Sequence, residues 1–170
     1  MLQSPSILVA IGHSETPELP QQEYSNIFSR YNIRSLKKQS DADFYNEVIK
    51  NPQLPEWSQS RFDVYGFMGG QCKYTYDYSI QHIANFFQKH EDIKVVVCDT
   101  LHSRKLFQHH QYNHPHAAKN IPFFVKEDVL KDINFANEKE PLQDQLQALK
   151  KIYTIFHIAS PLISMREEGS

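Results

Sequence analysis

The sequence predicts an α/β fold, a three-layer Rossmann-like sandwich with a mainly parallel sheet of four to five strands. Two observations support this prediction. Short continuous apolar runs, typical of strands buried on both faces, alternate with segments of helical periodicity. Polar, turn-rich loops follow three of these runs, as they do at the ligand-binding edge of open parallel sheets. The chain has 170 residues, so we expect residues 1–170 to form a single α/β domain.

The first half of the chain predicts two strands and two helices. The apolar run 6–11 predicts the first strand. Apolar residues at helical spacing predict a helix over 24–31, and a short strand over 32–36 follows. Asp41 is the expected N-cap of the second helix.

The second half repeats the alternation of strands and helices. The apolar run 93–98 is the strongest strand signal in the chain. The end of the last helix stays open, because 154–158 is β-branched enough to form a strand instead. In order, the predicted elements are a strand at 62–68, a helix at 80–90, a strand at 93–98, a helix at 104–111, a strand at 121–125, a helix through 129–133 and a helix from Pro141.

Composition excludes several classes of protein. The formal charge of −2 gives no general attraction to nucleic acid or anionic membranes. The apolar runs are too short to span a bilayer, and residues 1–5 lack the basic region of a secretory signal. Two cysteines do not make a disulfide framework. We therefore expect a cytoplasmic protein without membrane contact, and no motif predicts a cofactor.

The loops after three predicted strands are the candidate ligand site, because the carboxyl ends of parallel strands meet at one edge of a sheet. Glycines there let backbone N–H groups approach a ligand, although they equally make a simple tight turn. Asp99, directly after the strand predicted at 93–98, either binds a ligand or caps the next helix, and the sequence leaves both possibilities open. The predicted ligand-binding residues are Gly12, Ser14, Gly69, Gly70, Gln71, Asp99 and Thr100.

Cys72 is the candidate nucleophile. It follows two glycines near a predicted helix N-terminus, a position that lowers a thiol pKa. His13 or His102 would serve as its base, since both follow strands at the same sheet edge. The alternative is that Cys72 is a small buried hydrophobic residue.

Five histidines lie between residues 102 and 116. His110 and His114 have the i, i+4 spacing of metal ligands on a helix. Pro115 interrupts such a helix, and no Cys or pair of acids completes a ligand set. The sequence therefore favours a solvated, histidine-rich turn, and no metal site is predicted.

Residues 62–107 resemble the tRNA-dependent cyclodipeptide synthases. The matching segments read Gly66-Phe67-Met68-Gly69-Gly70-Gln71 and Val95-Val96-Val97-Cys98-Asp99-Thr100-Leu101-His102. This resemblance implies a Rossmann-like catalytic fold, an aminoacyl-tRNA partner and acyl transfer. Met68 stands where the family has its nucleophilic serine. The resemblance also implies that Met68 lies at the mouth of a pocket between the strands ending at Met68 and Cys98.

Two classes of function follow from the sequence. In the first, the sheet edge binds a small, acylated or phosphate-bearing ligand, and an acyltransferase or hydrolase reaction uses Cys72. Its partner is an aminoacyl-tRNA or a small molecule. In the second, the chain is a non-catalytic adaptor or effector domain that acts through a protein partner, which the absence of the serine favours.

Overall fold

The computed structural model describes residues 6–12, 22–24, 29–34, 40–50, 62–70, 72–102, 105–107, 121–136 and 139–165. Their strands are β1 (Ile7–Ile11), β2 (Gln22–Tyr24), β3 (Ser29–Arg34), β4 (Val64–Met68), β5 (Cys72–Tyr74), β6 (Val95–His102), β7 (Lys105–Phe107), β8 (Phe123–Lys126) and β9 (Ile155–Met165). Their helices are α1 (Asp41–Lys50), α2 (Ser79–Lys89), a 3-10 helix (Glu127–Asp132) and α3 (Pro141–Lys150).

The strands form one mixed sheet in the order β2-β3-β1-β4-β8-β6-β9-β5, with β7 paired to β6. β1 runs parallel to β3 and β4, and β6 runs parallel to β9. The other pairs, β2 with β3, β4 with β8, β5 with β9, and β6 with β7 and β8, are antiparallel. The prediction of a Rossmann-like sandwich with a mainly parallel sheet of four to five strands is therefore wrong.

The reason for this error is that an apolar run does not encode its direction in a sheet. β8 was predicted as a strand, but it lies antiparallel between β4 and β6, with Phe124 opposite both Gly66 and Val96. A Cβ on Gly66 would come within 2.6 Å of the Phe124 ring. Gly66 thus makes room for a core aromatic ring in the middle of a strand.

Some local predictions were also overturned by strand pairing. The helix predicted over 24–31 is wrong, because 22–24 and 29–34 are strands β2 and β3 and β3 pairs with β1. Residues 105–107 likewise form strand β7 rather than a helix. Helical spacing of apolar residues is a weak signal over two turns, and tertiary pairing outweighs it.

The helices cover the two faces of the sheet. Buried side chains of α1, the 3-10 helix and α3 pack with Leu8, Tyr65 and Val97 in what we call the α1-side core. Buried side chains of α2 pack with Val9 and Cys98 in the α2-side core. β1 and β4 are buried at every position, as their continuous apolar sequences predict.

The helix termini follow local sequence rules. Ser40 caps α1, because its Oγ accepts a hydrogen bond from the Asp43 N–H at 3.1 Å, and the expected cap Asp41 is instead the first helical residue. Pro141 stands in the first turn of α3, where its missing N–H costs nothing. The segment 154–158, for which the sequence left helix or strand undecided, belongs to strand β9 from Ile155 onward. None of the helices in the described ranges is long and apolar enough to cross a membrane.

Candidate functional site

The carboxyl ends of β1 and β4 are joined by a backbone hydrogen bond. The Gly12 N–H donates to the Met68 carbonyl oxygen at 2.8 Å. A Cβ on Gly12 would lie 2.6 Å from the Asp41 carboxyl carbon, so the first turn of α1 sits directly over this glycine. Gly12 therefore serves the packing of a helix against a strand end.

Tyr45 of α1 closes the space above the same carbonyl. Its hydroxyl donates to Met68 O at 2.5 Å, and its ring packs edge-to-face on Phe67 with centroids 5.6 Å apart. Burial raises the pKa of Tyr45 well above its ordinary value, and the Asp41 carboxylate adds to this rise. The end of β4 is thus filled by a neutral phenol.

Met68 does not line a pocket between two neighbouring strands. It is fully buried in the α2-side core, and strand β8 separates its strand from the strand of Cys98. The placement expected for Met68 is therefore wrong. Gly69 and Gly70, which follow it, are half-buried.

Cys72 lies in strand β5 rather than at a helix N-terminus. It is 3% exposed, and burial raises its thiol pKa to about 12, although the Gly69 backbone N–H lowers it slightly. Cys72 and His102 both pair with Met165 of β9, so their backbones lie two strand spacings apart, about 10 Å. This environment disfavours a thiolate, and the nucleophile role stays a prediction.

Several predicted site residues cannot be placed. His13, Ser14 and Gln71 lie outside the described residues, as does the side chain of His102. The histidine-rich segment from 108 to 116 also lies outside them. Within the described ranges, no group of three His, Cys, Asp or Glu side chains could hold a metal ion.

Asp99 lies inside β6, which continues to His102, so the prediction of a loop after Cys98 is wrong. Asp99 also has a partner that the sequence did not reveal. Its side chain is 3% exposed, and its Oδ1 contacts Nε2 of His157 on β9. His157 is 28% exposed at its side chain, so the pair runs from the interior to the surface. Asp99 is thus a buried carboxylate in contact with a partly exposed imidazole.

The parallel register of β6 and β9 brings the two side chains together. His157 is opposite Val97, and side chains alternate along a strand, so Asp99 shares the face of Val97 two positions further on. That face is the α1-side core, which contains Val97. Fifty-eight residues separate the partners in sequence, and only this register makes them neighbours.

The pair has the chemistry of an oriented base. A carboxylate only accepts hydrogen bonds, so the imidazole proton is held on Nε2 by Asp99 Oδ1. Nδ1 is then the nitrogen with a lone pair in the neutral ring. Within the part of the chain that the structure describes, the Asp99 carboxylate has one hydrogen-bond partner, which is His157.

Thr100, the next predicted ligand residue, is 3% exposed. It pairs with Phe107 of β7 and with Ile163 of β9. Its hydroxyl makes no hydrogen bond to another described residue. Thr100 is therefore close to Asp99 in the strand but stays a predicted ligand residue only.

The sequence analysis missed His157, although a signal for it was present. It is the only polar side chain between Ile155 and Ala159, a run that forms one end of β9. A single histidine inside an apolar strand, on the face of a buried neighbour, needs a polar partner. That signal was hidden because the segment was also compatible with the end of a helix.

Comparisons with known proteins bear on the fold alone. No protein-family model matches the chain, and no curated protein matches it in sequence. Among solved structures, it is similar to A197 from STIV, with a TM-score of 0.50 and 12% identity over 91% of this chain and 82% of that chain. It is also similar to CMP:2-keto-3-deoxy-manno-octonic acid synthetase complexed with CTP, with a TM-score of 0.45 and 10% identity over 92% of this chain and 91% of that chain. The resemblance to cyclodipeptide synthases stays a prediction.

Proposed function

We propose that the protein is a hydrolase or transferase that binds a small acylated or phosphate-bearing ligand beside Asp99 and His157. The observation that carries the proposal is the contact between the buried carboxylate of Asp99 in β6 and the partly exposed imidazole of His157 in β9. Such a pair converts histidine into a general base of fixed orientation.

The proposed step uses the lone pair of His157 Nδ1. This nitrogen takes the proton of a hydroxyl group, from water or from an acceptor molecule, as that oxygen attacks an acyl carbon or a phosphorus atom. The bond to the leaving group breaks, and the imidazolium returns the proton to the leaving oxygen. Asp99 stays ionised throughout and stabilises the imidazolium through Nε2.

The environment of Cys72, the nucleophile predicted from the sequence, supports this assignment. Cys72 is buried and has a raised pKa, whereas His157 reaches the surface. Proton transfer by a positioned side chain contributes about 100-fold or more to a rate. The proposal therefore places the chemistry between β6 and β9, and Cys72 is not required for it.

The test uses two chromogenic probes, p-nitrophenyl acetate for acyl transfer and p-nitrophenyl phosphate for phosphoryl transfer. We expect the protein to hydrolyse at least one of them, and His157→Gln and Asp99→Asn to lower that rate about 100-fold. Glutamine keeps an N–H donor for Asp99, so the fold is retained. His82→Gln, on the exposed part of α2, is the control for reaction of the ester with surface imidazoles.

A spectroscopic measurement tests the orientation independently of turnover. In ¹⁵N-edited spectra at a pH where the ring is neutral, His157 should show the proton on Nε2, and Asp99→Asn should mix the two tautomers. Equal rates for the protein and His157→Gln on both probes would overturn the proposal. That result would favour the alternative of a non-catalytic adaptor domain.

A further inference from the structure

The ladder between β6 and β9 is interrupted beside Asp99. Cys98 pairs with Ile158 and Thr100 pairs with Ile163, so a single residue of β6 faces four residues of β9, 159–162. We call 159–162 the β9 bulge. Bulges bend a strand and redirect its side chains, and they are frequent next to functional sites.

The β9 bulge puts four residues where a regular ladder would have a single residue opposite Asp99. In a regular parallel ladder, Ala159 would stand opposite Asp99 on the same face. Ala159 is instead exposed, and Ser160 and Pro161 are half-buried. The Ser160 hydroxyl makes no hydrogen bond to another described residue. The insertion thus places Ser160 in the segment of β9 that stands opposite Asp99.

Two hydrogen bonds fix the far end of the bulge to strand β5. The Thr75 N–H donates to the Leu162 carbonyl oxygen at 2.9 Å, and Thr75 Oγ1 lies 2.6 Å from Ser164 Oγ. Leu162 is fully buried in the α2-side core, and so is Ile158 before the bulge. Both ends of the bulge are therefore anchored, which gives the segment between them a defined path.

We propose that the β9 bulge forms a wall of the ligand site and that Ser160 is a ligand-binding residue in it. This inference rests on the proposed function. The ligand class is an ester or phosphoester, whose carbonyl or phosphoryl oxygen accepts the Ser160 hydroxyl proton in a hydrogen bond while His157 activates the attacking group. Thr75 is a positioning residue, because its hydrogen bonds to Leu162 and Ser164 hold the β9 bulge, and with it Ser160, in place.

The first test is the kinetics of Ser160→Ala with the chromogenic probe that the protein hydrolyses. Because negative charge develops on this oxygen in the transition state, loss of the hydrogen bond predicts a kcat/KM about 100-fold lower, mainly through kcat. Ser160→Thr keeps the hydroxyl and should restore most of this loss. The matched control is Ser6→Ala, because the Ser6 hydroxyl bonds to Asp63 at the start of β1, away from the bulge.

The second test uses Thr75→Val, which keeps the shape of the side chain but removes its hydroxyl. It should shift the ¹⁵N signals of His157, whereas Ser6→Ala should leave them unchanged. An unchanged kcat/KM in Ser160→Ala together with unchanged His157 signals in Thr75→Val would overturn the inference. That outcome, combined with an inactive His157→Gln, would leave the proposed function standing, whereas a fully active His157→Gln would remove the function itself.

Discussion

The two halves of the sheet's carboxyl edge are built in opposite ways. At the ends of β1 and β4, Met68 O accepts both the Gly12 N–H and the Tyr45 hydroxyl, and aromatic rings fill the space around them. In the second half of β6, Asp99 is held by His157, which reaches the surface, and the neighbouring strand β9 has its bulge opposite Asp99.

This difference indicates which polar groups at a sheet edge stabilise the fold and which do not. A buried polar group whose partners lie in the core, such as the Tyr45 hydroxyl, stabilises the fold. A buried carboxylate whose partner is itself partly exposed is costly to the fold, and such a group is typical of functional sites. We call the β1–β4 end the closed half and the β6–β9 end the open half.

The largest expected effect concerns access to the buried thiol of Cys72, which lies in β5 beside β9. Burial raises its thiol pKa from an ordinary 9.0 to about 12, which lowers its thiolate fraction about a thousandfold. Iodoacetamide at pH 8 should therefore label Cys72 about a thousandfold more slowly than N-acetylcysteine. Peptide mass spectrometry separates this thiol from Cys98, and labelling in urea is the positive control.

A labelling rate for Cys72 within tenfold of the free thiol would show that the α2-side core opens around this residue. That outcome would also support the predicted role of Cys72 as a nucleophile.

The next effect is the stability lost with the Tyr45 hydroxyl. Tyr45→Phe should lower the free energy of unfolding by about 1 kcal/mol, because Met68 O keeps the Gly12 N–H as its other partner. Chemical denaturation measures this change. The matched control is Tyr78→Phe, on a tyrosine that is 53% exposed, for which we expect almost no change.

The same variant changes the pH dependence of stability. Because folding raises the pKa of Tyr45, its contribution is complete below about pH 10 and is lost as the pH rises further, when the unfolded chain ionises first. Stability above pH 10 should therefore fall less steeply in Tyr45→Phe than in Tyr78→Phe. Equal slopes would show that the phenol is not buried in solution.

A smaller effect of opposite sign is expected in the open half. Asp99→Asn replaces a buried charge by a neutral group of the same shape, so the free energy of unfolding should stay unchanged or rise by up to about 1 kcal/mol. A loss of more than about 2 kcal/mol would contradict the comparison, because Asp99 would then be a structural residue like Tyr45.

The smallest effect is at an exposed ion pair near the other end of β6. Lys94 Nζ lies 2.7 Å from Asp128 Oδ2, and this hydrogen bond lowers the pKa of Asp128, whose side chain is 54% exposed. Asp128→Asn should cost less than about 1 kcal/mol, and less still in high salt. A lowered pKa stabilises the fold at neutral pH, and the effect should vanish as the pH falls below about 4.

Denaturation of Asp128→Asn at pH 7 and pH 3 measures that difference. A cost that persists at pH 3 would show that Asp128, in the 3-10 helix, acts through packing, and its contrast with the buried Asp99 would lose its basis.

The sequence by itself determined the local elements with strong and long patterns. The continuous apolar run 93–98 predicted the first half of β6, and the run 62–68 predicted β4, because a strand covered on both faces needs apolar residues at every position. Helical spacing predicted α2, whose buried residues face one core. Asp99 was singled out as a candidate, but its predicted place in a loop after the strand was wrong, because β6 continues to His102.

Only the tertiary structure decided the order and direction of the strands, and with them the candidate site. An apolar strand pairs equally well in either direction, so nothing local placed β8 antiparallel between β4 and β6. The contact of Asp99 with His157 depends on the register of β6 and β9, and the β9 bulge is visible only once both strands are paired. Contacts between residues far apart in sequence are fixed by packing of the whole sheet, since that packing selects one register among several that the local sequence allows.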